Sequence, residues 1–101
     1  MLDREFFLGF IKIHILYHAS KEPIFGAEIA KELARHGYSI SPGTLYPTLH
    51  SLEKEGYLES STRVAKGRVR RYYQATAKGK IVLKKSRRKI RELVTEVIEE
   101  K

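Results

Sequence analysis

The chain has 101 residues, 20 Lys plus Arg against 12 Asp plus Glu, a formal net charge of +8, and neither Cys nor Trp. That length accommodates one compact domain and excludes a multidomain enzyme. Without cysteine there is no disulfide, no thiolate catalysis and no Cys-based zinc or iron–sulfur site, a composition that fits a reducing cytoplasm.

The charge is uneven. From Ser60 to Arg91 no acid occurs, while thirteen Lys and Arg do. A solvated basic face is the plain reading of a charge run, but self-repulsion over so long a stretch favours a polyanionic partner.

Residues 3–19 place Phe6, Phe10, Ile13 and Tyr17 at helical spacing, with Phe7, Ile11 and Leu16 widening the stripe. This predicts a helix that is apolar around much of its circumference and needs burial on more than one side. Lys12 and His14 interrupt it and it is too short to span a bilayer, so no membrane span or signal peptide is expected. Pro23 ends this helix, and a short second one is predicted over 27–36, with Ile29, Ala30 and Leu33 on one face and Gly37 as its stop.

Ser41 followed by Pro42 predicts an N-cap and first helical position, and Leu45, Leu49 and Leu52 then recur at helical spacing up to Gly56. Pro47 lies past the first turn, where proline costs about 3 kcal/mol, so a kink or an irregular first turn is expected. From Tyr57 the period changes to two. Leu58, Thr62 and Val64 share one face, a turn spans 65–68 around Gly67, and Val69, Tyr73 and Ala75 alternate on the return, which predicts a β-hairpin with a basic tip. Thr76 then caps a long last helix whose stripe is Leu83, Ile90, Leu93, Val94, Val97 and Ile98. Its cations lie at the wrong end for the helix dipole, so helix stability alone does not account for them.

Mainly helical, with a small β wing, this order is that of a winged helix-turn-helix over 1–75 followed by a long last helix over 76–101, whose apolar stripe extends past what the domain can cover and marks it as the expected C-terminal dimerisation helix. Thr44, Thr48, His50 and Ser51 are the polar groups expected to reach base edges from the third helix, and Lys66, Gly67 and Arg68 to meet phosphates or the minor groove. Ordinary solvation is the competing reading of each.

The run from Gly37 to Leu58, with Gly43-Thr44-Leu45-Tyr46-Pro47 leading into Leu52-Glu53-Lys54-Glu55-Gly56, resembles the recognition region of PadR-type transcriptional regulators. Pro23 to Gly26 resembles the segment before that family's second helix, and Gly67 to Gly79 resembles its wing strand and the start of its last helix. Val69 stands where many members carry proline, and Ala75 where a larger aliphatic is usual. The resemblance implies a homodimeric repressor of double-stranded DNA, with Ser41, Gly43, Thr44, Tyr46, Pro47, Thr48, His50 and Ser51, and wing residues Lys66, Gly67, Arg68 and Arg70, at the DNA. It also implies an interface of first and last helices, through Phe6, Phe10, Ile13, Ile90, Leu93, Val94, Val97 and Ile98, and in several relatives release by a small aromatic effector near that interface. Two-fold symmetry would demand an inverted-repeat operator.

Other chemistry lacks support. His14 and His18 have the i, i+4 spacing of two metal ligands, but Ile15 stands where a zinc protease would carry its Glu, so no metal, cofactor or enzymatic activity is expected. Asp3 is the only aspartate, and Lys78-Gly79-Lys80 lacks the upstream glycine of a phosphate loop. A nonspecific architectural or RNA-binding protein shares the charge, yet Tyr72 and Tyr73 make a weak stacking platform. A membrane-surface protein would want Trp or Phe among the cations of the last helix, and there are none.

Overall fold

The computed structural model describes residues 2–101. The elements run α1 (Leu2–Lys21), β1 (Ile24–Phe25), α2 (Gly26–Arg35), α3 (Pro42–Lys54), β2 (Leu58–Ala65), β3 (Arg68–Ala75) and α4 (Ala77–Leu93), and the last turn, Val94–Ile98, is a π-helix. Four helices and a three-stranded antiparallel sheet ordered β1-β3-β2 make a winged helix.

Each helix donates one face to a common core. Ile11, Ile15, Leu16 and Ala19 of α1 meet Ile29 and Leu33 of α2, Leu45, Leu49 and Leu52 of α3, and Leu58, Tyr73, Ala75 and Leu83 from the hairpin and α4. The first helix therefore turns inward a face other than that of Phe6, Phe10 and Tyr17, with Ile13 half-buried against the core. Phe6, Phe10 and Tyr17 are exposed, and Phe6 and Phe10 pack edge to face with centroids 4.8 Å apart. Apolar over much of its circumference, α1 supplies both the core and an outward apolar face.

β1 is a strand of two residues, too short for any periodicity to announce. It exists because Ile24 and Phe25 pair with Tyr73 and Tyr72 on the free edge of β3. The helix after it is capped by a partial device: Glu28 accepts the Phe25 N–H at 3.2 Å, and Phe25 has no side-chain acceptor with which to reciprocate.

α3 runs as one continuous helix from Pro42 to Lys54 with Pro47 inside it. Pro47 has no N–H to donate to the carbonyl of Gly43, and Gly43 is exposed, so water can serve that oxygen. At the helix start the Ser41 hydroxyl donates to Thr44 Oγ1 at 3.3 Å instead of accepting a backbone N–H.

Residues Leu58 and Ala75 pair at the base of the hairpin and Ala65 and Arg68 at its tip. The connecting residues are Lys66 at φ 52° and Gly67 at φ 75°, the two left-handed positions of a type I′ turn, whose twist matches that of the flanking strands. Thr76 caps α4 as expected, accepting the Gly79 N–H at 3.0 Å while its hydroxyl donates to the Gly56 carbonyl at 2.6 Å. That second bond fastens the start of α4 to the end of α3.

The last helix leaves the body of the protein. Leu83 is buried, while Ile90, Leu93, Val97 and Ile98 are exposed and Val94 is half-buried. The radius of gyration is 14.6 Å, above the roughly 13 Å of a compact chain of this length, because α4 projects as an arm. The expected single α-helix to the C-terminus instead widens at Val94, where Glu99 N–H reaches the Val94 carbonyl at 3.0 Å. Four of those five residues are β-branched, which weakens the α-helical preference there.

Candidate nucleic-acid interface

On α3, Leu45, Thr48, Leu49 and Leu52 point into the core, and the outward stripe is Gly43, Tyr46, Pro47, His50 and Lys54. Thr48 is 8% exposed and its hydroxyl donates to the Thr44 carbonyl at 2.7 Å. The expectation that Thr48 approaches base edges is thus corrected: a hydroxyl one turn from Leu45 and Leu52 is on their face, and it satisfies itself on the helix backbone. Thr44 and Ser51 are half-buried at the margins, while Tyr46, Pro47 and His50 are exposed together with Ser41 and Gly43. The face available to a groove is therefore more aromatic than the sequence suggested.

The wing's outward face carries charge over aromatic rings. Arg70 lies with its guanidinium 4.3 Å from the centroid of Phe25, Arg63 lies 4.9 Å from that of Tyr72, and Phe25 and Tyr72 meet edge to face at 5.3 Å. Each ring attracts its guanidinium as a cation–π partner and holds the charge close to the wing surface. At the tip Lys66, Gly67 and Arg68 are exposed. No carboxylate among the described residues forms a salt bridge with Lys66, Arg68 or Arg70. Val64 and Val69 face each other across the strands and are 75% and 70% exposed, an apolar pair among cations.

Wing and helix are held in register by a short relay. Arg71 donates to Ser60 Oγ at 3.1 Å, and Ser60 donates to Glu53 Oε2 at 2.6 Å, joining both strands to the end of α3. Lys78 belongs to this framework and not to the basic face. Its ammonium donates to the Glu55 carbonyl at 2.8 Å, at the negative end of α3, and lies 4.9 Å from the Tyr57 ring centroid.

Between α3 and the wing is a cleft of about 410 Å³ whose lining includes Tyr46, Gly26, Ala27 and wing residues Arg68, Arg70 and Arg71. Helix and wing thus present one concave basic surface, floored by the start of α2. On a separate surface, Phe6, Phe10 and Ile13 of α1 and Ile90 and Leu93 of α4 line an apolar groove of about 440 Å³, with Glu5 and His14 at its edges. The two surfaces share no residue.

A third grouping escaped the sequence reading. His36, the C-cap of α2, comes beside His14, with ring centroids 4.8 Å apart, and His18 is near both. Burial, and then the neighbouring His36 and His18, holds the His14 imidazole below its ordinary pKa. The i, i+4 pair was visible; the third member depends on how α2 crosses α1.

A recognition helix, a basic two-stranded wing and a helix-turn-helix core define a DNA-binding winged helix. The profile of the Transcriptional regulator PadR-like family matches residues 15–85, and the chain belongs to that family of transcriptional regulators, which are not enzymes. It is 50% identical over 95 residues to Transcriptional regulator Rv3488 of Mycobacterium tuberculosis, covering 94% of this chain and 89% of that one. Among solved structures it is similar to a PadR family transcriptional regulator from Eggerthella lenta, at 31% identity and a TM-score of 0.83, covering 97% of this chain and 87% of the other. A PadR-like transcriptional regulator from Bacillus cereus aligns equally well, at 31% identity and a TM-score of 0.83 over 90% of each chain. Among the described residues no helix is long and apolar enough to cross a membrane.

Proposed function

We propose that the protein is a homodimeric repressor, in the cytoplasm, of an inverted-repeat operator. In this reading residues 1–75 form the DNA-binding unit and 76–101 the dimerisation arm. The carrying observation is the shared cleft of Tyr46 and the wing arginines: a duplex lying over it takes Gly43, Tyr46, Pro47 and His50 in the major groove. Ser41, Thr44 and Ser51 then border the groove. Lys66, Gly67, Arg68 and Arg70 meet the flanking backbone or minor groove, supplying affinity without sequence preference.

The apolar faces of α1 and α4 support the dimer. Phe6, Phe10, Ile13, Ile90, Leu93, Val94, Val97 and Ile98 are more apolar surface than a monomer ordinarily leaves in contact with water, and a second copy is the partner that buries it. A groove walled by Phe6 and Phe10, once covered, has the apolar and aromatic lining that a small aromatic effector requires.

Selection from random duplexes with purified protein tests the reading. Enrichment of an inverted repeat with half-sites about 10 bp apart, or a multiple of it, is expected. Uniform recovery of all sequences would instead make the protein a nonspecific nucleic-acid binder.

A further inference from the structure

His14 and His18 lie one turn apart on α1, and His36 ends α2 with its N–H donating to the Leu33 carbonyl at 3.0 Å. One ligand-capable atom from each of the three imidazoles falls within 4.8 Å of the others. Imidazole nitrogens at about 2.0–2.1 Å from a tetrahedral zinc ion stand roughly 3.3 Å apart, so side-chain rotation of about 1.5 Å closes the set. The arrangement allows that movement where it is needed. His36 is exposed and stands 4.8 Å from the His14 ring, while the His14 and His18 rings of α1 are nearly parallel with centroids 6.5 Å apart, so closure turns the α1 rings, which Tyr38 and Tyr17 flank edge-on at 5.6 and 5.1 Å, as well as His36.

Charge around the recess is mixed. Glu32 Oε2 stands 3.9 Å from His18 Nε2 and 3.2 Å from Arg35, and Arg87 of α4 lines the same recess. A carboxylate beside a ligating imidazole orients the ring and raises its basicity, and Arg87 works in the opposite direction.

We propose that His14, His18 and His36 form a binding site for a divalent transition metal of the zinc class, with Glu32 or water completing the coordination. Three imidazoles without thiolate select zinc, nickel or copper over magnesium and calcium, which prefer oxygen. The bound ion would join α1, whose other face is the apolar one, to the turn that leads into α3. The proposal stands apart from the DNA-binding reading, because metal affinity can be measured without DNA.

The test uses the full chain without a histidine tag, titrating Zn²⁺ against a chromophoric chelator and recording the visible spectrum with Co²⁺. One ion per protomer and a Co²⁺ spectrum of low coordination number are expected. His36→Ala changes an exposed side chain, so it should fold as wild type by circular dichroism yet lose affinity by more than about a hundredfold, above the roughly 10–100-fold typical of weakening an outer-shell partner. His18→Gln should do the same, and His50→Ala, altering the fourth histidine, should keep wild-type zinc affinity. No zinc binding by the wild type, or equal affinity in wild type and His36→Ala, overturns the proposal.

Discussion

The Tyr46 ring lies against the backbone of Gly26, so close that a Cβ at position 26 would stand 2.8 Å from the Tyr46 hydroxyl oxygen. Gly26 is buried at the start of α2, whereas Tyr46 is 51% exposed on α3. The absence of one side chain on the first helix of the helix-turn-helix therefore sets the attitude of an aromatic ring on the second.

This relationship predicts that Gly26→Ala pushes the Tyr46 ring off its seat. Alanine gains up to about 1 kcal/mol of helix propensity, so the melting temperature should stay near wild type while operator affinity falls. Tyr46→Phe, which removes only the hydroxyl, should weaken operator binding by about 1 kcal/mol, roughly fivefold. Fluorescence anisotropy with a labelled operator measures both, and unchanged affinity in both variants would remove Tyr46 from the DNA.

Arg68→Ala should weaken binding to specific and random duplexes by similar factors. The slope of log affinity against log salt should become shallower by about one unit per lost phosphate contact. His50→Ala should behave differently, costing about 1–3 kcal/mol at the operator and much less elsewhere. A salt series on each variant separates the two roles.

Placing Asp at Leu93 and Val97 together should separate the subunits. Both side chains are more than half exposed in the single chain, so the change costs the monomer little, while in a dimer each would forfeit about 1.5–3 kcal/mol of burial and leave a carboxylate to desolvate. Light scattering should show a monomer that retains helical circular dichroism, and a dimer of unchanged affinity would place the interface elsewhere.

Gly79→Ala should destabilise the fold without touching the DNA face. A Cβ there would overlap the carbonyl oxygen of Tyr57, and backbone cannot yield as a side-chain end does. Overpacking of this kind costs about 1–3 kcal/mol, a fall in Tm on the order of 5–20 °C for a domain of this size. Differential scanning fluorimetry would register it, and an unchanged Tm would mean that the α4 start shifts freely.

What the sequence determined by itself was everything carried by local periodicity and turn chemistry. Leu45, Leu49 and Leu52 announced α3, alternation from Leu58 to Ala75 announced the wing, and Thr76 announced the cap of α4, because each signal repeats within a few residues. The segment around Tyr46-Pro47 pointed to the family for the same reason. Only the tertiary structure decided which face of each element turns inward. Thr48 follows Pro47 by one residue and looks polar, yet its angle on α3 puts it with Leu45 and Leu52, and its hydroxyl is satisfied by the Thr44 carbonyl one turn back. The circumference of α1 offered two apolar faces, and packing against α2 and α4 chose Ile11 and Ile15 over Phe6 and Phe10. β1 arises from an edge of β3 that is nearly fifty residues away in the chain. The meeting of His14, His18 and His36 is likewise a crossing of two helices, and no spacing along one strand of sequence encodes the angle at which helices cross.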